Sequence, residues 1–347
     1  MFRIIRLVPV VLCLLAVALA TLWGALALWY HGPVSEQQKL FAIGGYAFFG
    51  LLMGLGLFTQ RRVGALGLFG LVFAGLLFWW SGIAPPTERN WAPDVARQVT
   101  GQIDGDMLTL ENMRNFDWHG PYDATPRWET RSYDLSQLQT VDMFLSYWAG
   151  PLMAHFIVSF GFSDGEYLAW SVEVRREVDG GFSPVADAFK TNTLLILAAD
   201  ERDVVGVRSN WRKEDVQLFR LNADPQTARA LLTEYVRDAN ALARQPEFYN
   251  SLTTNCTTVV VRMMKAIGNS LPLDWRLLAN GYLPDYAYDH QALDMRHSMS
   301  DLRALGRIER QANAHGLKSG FSDAIRQRVP KPEGGTRTGV NPEQEPG

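Results

Sequence analysis

The first part of the chain is dominated by three long stretches that contain no charged residue. They cover residues 7–30, 40–58 and 63–83, and polar or turn-forming residues bound each of them. Each is long enough to cross a bilayer as a helix, because a helix rises ~1.5 Å per residue. The first is too long for a cleaved signal peptide and two more follow it, so we interpret it as an anchor. The pattern predicts a three-helix membrane anchor over residues 1–84.

Basic residues beside these stretches predict their orientation. Arg3 and Arg6 precede the first span, and Arg61 and Arg62 separate the second from the third, whereas the loop 31–39 carries one lysine and one glutamate. Lysine and arginine concentrate in cytoplasmic loops, which places the N-terminus in the cytoplasm. Three spans then deliver the rest of the chain to the outside. We therefore expect a protein of the bacterial inner membrane whose following domain, residues 85–329, lies in the periplasm.

The pattern after the spans is that of a soluble α+β domain. Residues 85–115 are expected to be irregular, and the tail 330–347, poor in apolar residues, is expected to be disordered. Apolar residues that alternate with polar ones, or β-branched runs, predict strands over residues 128–135, 153–160, 167–177, 191–199, 204–208 and 216–221. Helical spacing predicts helices over residues 136–147, 225–244, 256–267, 300–314 and 322–328.

The strands 153–160 and 167–177 are expected to form a hairpin. If its loop consists of residues 163–165, paired positions sum to 328, and His155 lies opposite Glu173. Directly opposed side chains have Cβ atoms roughly 4.5–5.5 Å apart, which is close enough for an imidazole to bond a carboxylate. A two-residue loop would instead direct His155 at Val174. The pairing of His155 with Glu173 therefore depends on the loop length.

Cys256 lies where a helix is expected to begin. Val259, Val260 and Met263 recur at helical spacing after it, and Thr254 or Asn255 precedes it as the N-cap. Unpaired N–H groups and the helix dipole favour an anion at this end, so we expect the thiol to lose its proton more easily than a free cysteine. The alternative is a buried cysteine that only packs the helix end.

Composition narrows the chemistry. The net charge of -3 and the pI of about 6.1 do not support nucleic-acid binding. The other cysteine, Cys13, lies in the first span, so the exported domain cannot form an internal disulfide. A thiol nucleophile needs a neighbouring base, and His155 is the histidine on a strand that we predict to be central in the sheet. The alternative is that His155 is only a packed residue of the core. The spacing of cysteines and histidines predicts no metal site and no cofactor.

Several runs of this domain resemble one family. They are Arg131-Ser132-Tyr133-Asp134-Leu135, the runs 141–148, 155–162 and 171–177, the runs 199–203 and 210–216, and Leu252-Thr253-Thr254-Asn255-Cys256-Thr257-Thr258. In this order they resemble the Lnb N-terminal periplasmic domain family over about residues 110–290. The resemblance implies a circularly permuted papain-like (NlpC-type) fold, with an antiparallel sheet and a cysteine-bearing helix that follows the histidine strand. It also implies that Cys256 and His155 are the catalytic pair and that Glu173 is the third member.

The family implies acyl transfer from a phospholipid to a lipoprotein. Its membrane helices follow this domain, whereas here they precede it, which leaves the acyl acceptor open. We expect a cysteine-dependent acyltransferase that acts through a Cys256 thioester on a phospholipid or lipoprotein at the membrane. Backbone N–H groups at the helix start, with Asn255 and Tyr147 as further candidates, would stabilise the oxyanion. The alternatives are a thiol amidase or peptidase of peptidoglycan and an inactive module that binds a lipid or a protein.

Overall fold

A computed structural model of the protein describes residues 2–33, 35–251, 253–266, 268, 272 and 274–332. The chain forms two compact units: Met1–Thr87 with Ser183–Thr191, and Glu88–Phe182 with Asn192–Gly347. Most of the tail that the sequence predicts to be disordered, from residue 333 on, lies outside the described residues, as does the predicted end of the cysteine helix at residue 267.

The first unit contains the three apolar helices that the sequence predicts. Val8–His31, Glu36–Gly56 and Arg62–Ser81 are each long and apolar enough to cross a membrane. A glycine lets the first two helices approach, because a Cβ on Gly50 would lie 2.2 Å from the hydroxyl oxygen of Thr21. The helices of this unit are α1 Phe2–His31, α2 Glu36–Gly56, α3 Arg62–Ser81 and the short α4 Pro184–Ala188.

The second unit is built around a mixed sheet. Its strand order is β1-β2-β9-β8-β7-β6-β10, with β5 paired to β2, and neighbouring strands are antiparallel except β2 and β9. A separate ribbon joins β3 to β4. The strands are β1 Thr100–Asp104, β2 Met107–Arg114, β3 Asp117–Trp118, β4 Ala124–Thr125, β5 Trp128–Asp134, β6 Leu138–Tyr147, β7 Ala154–Phe162, β8 Tyr167–Arg175, β9 Thr193–Ala199 and β10 Asp215–Arg220.

Helices cover both faces of this sheet. They are α5 Glu201–Val204, α6 Pro225–Arg244, α7 Cys256–Ala266, α8 Leu283–Asp289, α9 Met299–Gly306, α10 Glu309–His315 and α11 Phe321–Arg326, with a π-helical turn over Val207–Trp211. One face packs Phe156, Val158 and Trp170 against α6 and α7. The opposite face packs Ile157 and Leu195 against α5, α10 and α11. The sheet is therefore buried on both sides, as the mixed α and β pattern of the sequence predicts.

The long helix α6 follows its sequence pattern closely. Asp224 caps it by accepting bonds from the N–H groups of Gln226 and Thr227, and a proline occupies the first turn. The face that the sequence predicts to be buried, Ala228, Leu231, Leu232, Tyr235, Val236, Ala239 and Leu242, is buried. An apolar stripe at helical spacing is thus sufficient to predict this element.

Three predicted elements are wrong. Residues 138–147 form β6 instead of a helix, because this strand lies inside a two-sided core and both of its faces are apolar. Such a run cannot be distinguished from a buried helix by periodicity. The predicted strand 204–208 is instead the end of α5 and the start of the π-helical turn, since Asp200 caps α5 through the Arg202 N–H.

The third error concerns residues 85–115, which the sequence analysis treats as irregular. Strands β1 and β2 lie here and form a tight hairpin in which Asp104 pairs with Met107. Gly105 supplies the positive φ of 59° that its turn requires. The turn signal Asp-Gly-Asp was present in the sequence, but the polar residues around it weaken the strand pattern.

Candidate active site

The candidate site lies in a gap between two neighbouring strands. The β7–β8 ladder ends at the pair Ile157–Ser171, so residues 154–156 and 172–175 continue without pairing to each other. A cavity of about 500 Å³ lies at this opening and is lined by Cys256, His155 and Glu173, among others. The thiol belongs to the core on the α6–α7 face. The histidine shares its strand face with Ile157, which belongs to the opposite core.

The hairpin register agrees with the three-residue loop. Ser159 pairs with Ala169, and the Phe162 N–H donates to the Glu166 carbonyl at 2.9 Å, so the loop consists of residues 163–165. In this register His155 and Glu173 face each other across the gap, and the His155 Nε2 atom lies 3.1 Å from Glu173 Oε1. The predicted juxtaposition of these two side chains is confirmed.

Ser171 connects the two side chains a second time. Its hydroxyl oxygen lies 2.7 Å from His155 Nε2, and its hydroxyl donates to Glu173 Oε1 at 2.7 Å. Because this hydroxyl proton points at the carboxylate, the oxygen accepts from the ring. Both contacts therefore place the imidazole proton on Nε2. The other ring nitrogen, Nδ1, has no hydrogen-bond partner among the described residues and keeps its lone pair.

The charges at this end of the site are set by burial and by Arg208. Burial, and then the positive charge of Arg208, lower the pKa of His155, so the ring is neutral at neutral pH. Burial alone would raise the pKa of Glu173, but His155 and Arg208 hold it well below its ordinary value. The Arg208 Nη2 atom donates to Glu173 Oε1 at 3.4 Å. The resting arrangement is thus an ionised carboxylate behind a neutral imidazole.

Cys256 is the first residue of α7, as the sequence predicts. The Asn255 side-chain oxygen accepts from the N–H groups of Thr257 and Thr258 at 2.9 and 3.0 Å, which makes Asn255 rather than Thr254 the N-cap. The Asn255 side-chain N–H donates to the Ser251 carbonyl at 2.8 Å. The backbone N–H of Cys256 itself has no acceptor in the part of the chain that the structure describes. That group is a donor available for an oxyanion.

The thiol is protonated at rest, contrary to the expectation from the helix end. Cys256 is 8% exposed, and burial raises its pKa above the ordinary value, although the neighbouring Phe156 and Thr257 act to lower it. Removal from water disfavours the thiolate more than these neighbours favour it. No hydrogen bond joins the described Cys256 and His155 side chains, so the resting pair is a neutral thiol and a neutral ring.

Asn280 is a site residue that sequence reasoning missed. Its amide accepts from the Ala154 N–H and donates to the Ala154 carbonyl, both at 2.8 Å, and its nitrogen lies 3.5 Å from the Cys256 sulfur. It therefore fixes the residue before the histidine and touches the thiol. The following Gly281 permits this approach, because a Cβ there would lie 2.1 Å from the Pro151 carbonyl oxygen. In the sequence, the dipeptide Asn280-Gly281 predicts only a turn.

Tyr147 does not reach the cavity that contains Cys256. Its hydroxyl donates to the Gly281 carbonyl at 2.7 Å and accepts from Arg303 at 3.3 Å, and it lines a different cavity. Tyr147 pairs with Ala154 and packs on the α6–α7 face, the face that holds Cys256, but its hydroxyl is directed to Gly281 and Arg303 instead of the thiol. The expectation that Tyr147 donates to the oxyanion is therefore not supported by its position.

The arrangement brings together the groups that nucleophilic chemistry by a thiol requires. It combines a thiol, a base with a free lone pair, an ionised carboxylate behind the base and an available backbone N–H. Among the described residues, no three His, Cys, Asp or Glu side chains come together as metal ligands would.

The site falls within a segment that matches a known family. Residues 124–281 match the model of the Lnb N-terminal periplasmic domain, which confirms the resemblance seen in the sequence. The match includes His155, Glu173, Cys256 and Asn280. No curated protein and no solved structure matches the chain. With its three apolar helices, the protein is an inner-membrane protein that carries a periplasmic domain.

Proposed function

We propose that this inner-membrane protein, whose residues 124–281 carry the Lnb N-terminal periplasmic domain, transfers acyl groups through a thioester on Cys256. The observation that supports this most directly is the cavity shared by the thiol and by an imidazole whose proton is held on Nε2. Acyl transfer by a thiol needs a base with a free lone pair beside the nucleophile. The circularly permuted papain-like arrangement implied by the family is part of the same proposal.

In the first half-reaction, the sulfur attacks the ester carbonyl of a lipid donor. His155 Nδ1 takes the thiol proton as the C–S bond forms, and the backbone N–H of Cys256 binds the developing oxyanion. The tetrahedral intermediate then expels the donor's alkoxide oxygen, which takes the proton from His155. One C–S bond has formed, one C–O bond has broken, and the ring is neutral again.

The second half-reaction transfers the acyl group to an amine or hydroxyl acceptor. His155 Nδ1 removes the acceptor's proton as the acceptor attacks the thioester carbonyl. The C–S bond breaks and the thiol recovers its proton from the ring. In both halves the imidazolium exists only during the reaction, and the ionised Glu173 stabilises it through Nε2–H.

Two features favour a lipid or lipoprotein substrate. The chain joins this domain covalently to three membrane-length helices, which tether it to the bilayer that would contain such a substrate. Apolar side chains that line the cavity are also strongly exposed to solvent, among them Trp148 at 49%, Met153 at 44% and Leu278 at 70%. Exposed apolar groups around a reactive site are typical of sites that meet apolar ligands or membranes.

The test is acylation of the purified full-length protein in detergent. After incubation with phosphatidylethanolamine, mass spectrometry should show an acyl adduct on Cys256 that hydroxylamine removes. Cys256→Ala should carry no adduct, whereas Cys13→Ala, which removes the cysteine of the first span, should carry it in full. An adduct that persists in Cys256→Ala, or no adduct on the wild-type protein, overturns the proposal. Cleavage of peptidoglycan peptides in place of lipid acylation would favour an amidase.

A further inference from the structure

Four arginines line the described part of the cavity, and three of them are paired with carboxylates. Such pairs fix their charges within the protein and leave little for a ligand. The neutralised arginines are Arg114, bound by Asp203 at 2.8 and 2.9 Å, Arg176, bound by Asp94 at 2.9 and 3.1 Å, and Arg208, which donates to Glu173 at 3.4 Å.

Arg212 lines the same cavity and differs from these arginines. No carboxylate lies within 4.0 Å of its nitrogens in the described part of the chain, and its Nε–H donates to the Pro121 carbonyl at 3.0 Å. The guanidinium lies against the rings of Trp118 and Tyr122, with its central carbon 5.7 and 5.6 Å from their centroids. Its two terminal nitrogens therefore remain available for a ligand, while the stem and plane are held in place.

The charge of Arg212 is only partly compensated within the protein. Burial, and then the neighbouring Arg208, lower its pKa more than Glu214, Glu173 and Asp94 raise it, although an arginine stays ionised in proteins. A bound oxyanion would complete this compensation, because a guanidinium makes paired hydrogen bonds to phosphate. The lining of the cavity thus combines a guanidinium without a carboxylate partner among the described residues with apolar side chains such as Trp148, Met153 and Leu278.

A second, mainly apolar cavity adjoins the first. Thr257 and Leu278 border both cavities, and the second, of about 660 Å³, is lined by Val261, Trp275 and Leu277. Trp275 is 60% exposed, although tryptophan is usually covered. A molecule with an anionic head and an apolar chain would match these two cavities, of which the first holds Arg212 and Cys256 and the second is mainly apolar.

We propose that Arg212, held against Trp118 and Tyr122, binds the phosphate of a phospholipid donor while its acyl chain lies in the groove formed by Val261, Trp275 and Leu277. This orientation would present the ester carbonyl to Cys256. The inference rests on the proposed acyl transfer, but the phosphate contact can be measured without it.

The binding experiment uses full-length Cys256→Ala protein in detergent and dihexanoylphosphatidylethanolamine, titrated by calorimetry. Arg212→Gln should weaken binding about ten- to a hundredfold, as expected for the loss of charge-assisted hydrogen bonds. Arg237→Gln, on the exposed surface of α6, should leave the affinity unchanged. Inorganic phosphate should bind far more weakly than the lipid. Equal affinities of the two would identify a free-phosphate site, and an unchanged lipid affinity in Arg212→Gln would refute the contact.

The kinetic experiment compares two acyl donors on protein that retains Cys256. With phospholipid, Arg212→Gln should slow acylation about ten- to a hundredfold, whereas with a diacylglycerol of the same chains it should match the wild type. Val261→Trp should slow long-chain donors and spare two-carbon ones. An equal loss on both donors would overturn the phosphate role. If wild-type protein binds phospholipid through Arg212 but is never acylated, the proposed function fails and the binding site stands.

Discussion

Replacing Asn280 by alanine should release the first residue of the histidine strand. The Asn280 amide makes two bonds of 2.8 Å to the backbone of Ala154, one to its N–H and one to its carbonyl. Ala154 is 2% exposed, so neither group can bond freely to water in the intact fold. The side chain acts here as an extra rung of the sheet, beyond the point where β7 and β8 separate.

The size of the effect follows from these two bonds. A buried donor or acceptor left without a partner costs about 1–3 kcal/mol, so the two together should destabilise the local structure by roughly 2–6 kcal/mol. A factor of ten corresponds to about 1.4 kcal/mol, so opening at Ala154 should become roughly 30- to 20,000-fold more frequent. Because His155 is the next residue, its ring should also lose its fixed position in the cavity that it shares with the thiol.

Hydrogen exchange of the full-length protein in detergent measures this directly. Peptides that contain the Ala154 amide should exchange faster in Asn280→Ala by the factor given above. Asn255→Ala is the matched control, because it removes an asparagine that caps α7 and should expose the Thr257 and Thr258 amides instead. Unchanged exchange at Ala154 in Asn280→Ala, or the same increase in Asn255→Ala, would refute the reasoning.

Four further predictions concern charge and packing. Burial raises the pKa of Cys256, so alkylation by iodoacetamide should rise with pH at a midpoint above that of free cysteine; a lower midpoint would contradict a buried neutral thiol. Because the pKa of His155 is lowered, the base stays neutral below pH 6.5, so acylation should persist there and fall only as the pH drops through the folded-state pKa of the ring. Glu173→Gln should slow acylation by roughly 10²–10⁴-fold, and an unchanged acylation rate would remove the carboxylate from the mechanism. Gly281→Ala should lower thermal stability by roughly 1–3 kcal/mol through a backbone clash, while Gly181→Ala, with open space around it, should not.

The parts of this fold that the sequence predicts well are those in which local chemistry determines structure. The membrane spans follow from apolar length alone, and α6 follows from a cap at Asp224 and a stripe of period 3.6. The His155–Glu173 pair follows from a three-residue turn and the two-residue period of a strand. One loop length decides which side chains meet, so the sequence predicts this pair for a three-residue loop and the pair of His155 with Val174 for a two-residue loop.

The parts that were wrong or missed depend on residues distant in sequence. Strand β6 is apolar on both faces because two separate layers of helices cover it, and that cannot be read from its own residues. Asn280 reaches Ala154 across 126 positions of sequence. The Cys256 pKa depends on how completely the thiol is buried, which outweighs the helix end that the sequence does reveal. Long-range packing, rather than local propensity, controls these features.

The protonation state of the resting site gives the thiol a further property. A thiolate is the form that reacts with oxidants, and the periplasm is an oxidising compartment. Burial keeps the Cys256 sulfur protonated and largely covered, and the exported domain has no second cysteine with which it could pair. Under the proposed mechanism the thiol loses its proton to His155 only when a carbonyl is in place. The same burial that opposes the sequence-based expectation of an activated thiolate would therefore preserve the nucleophile between turnovers.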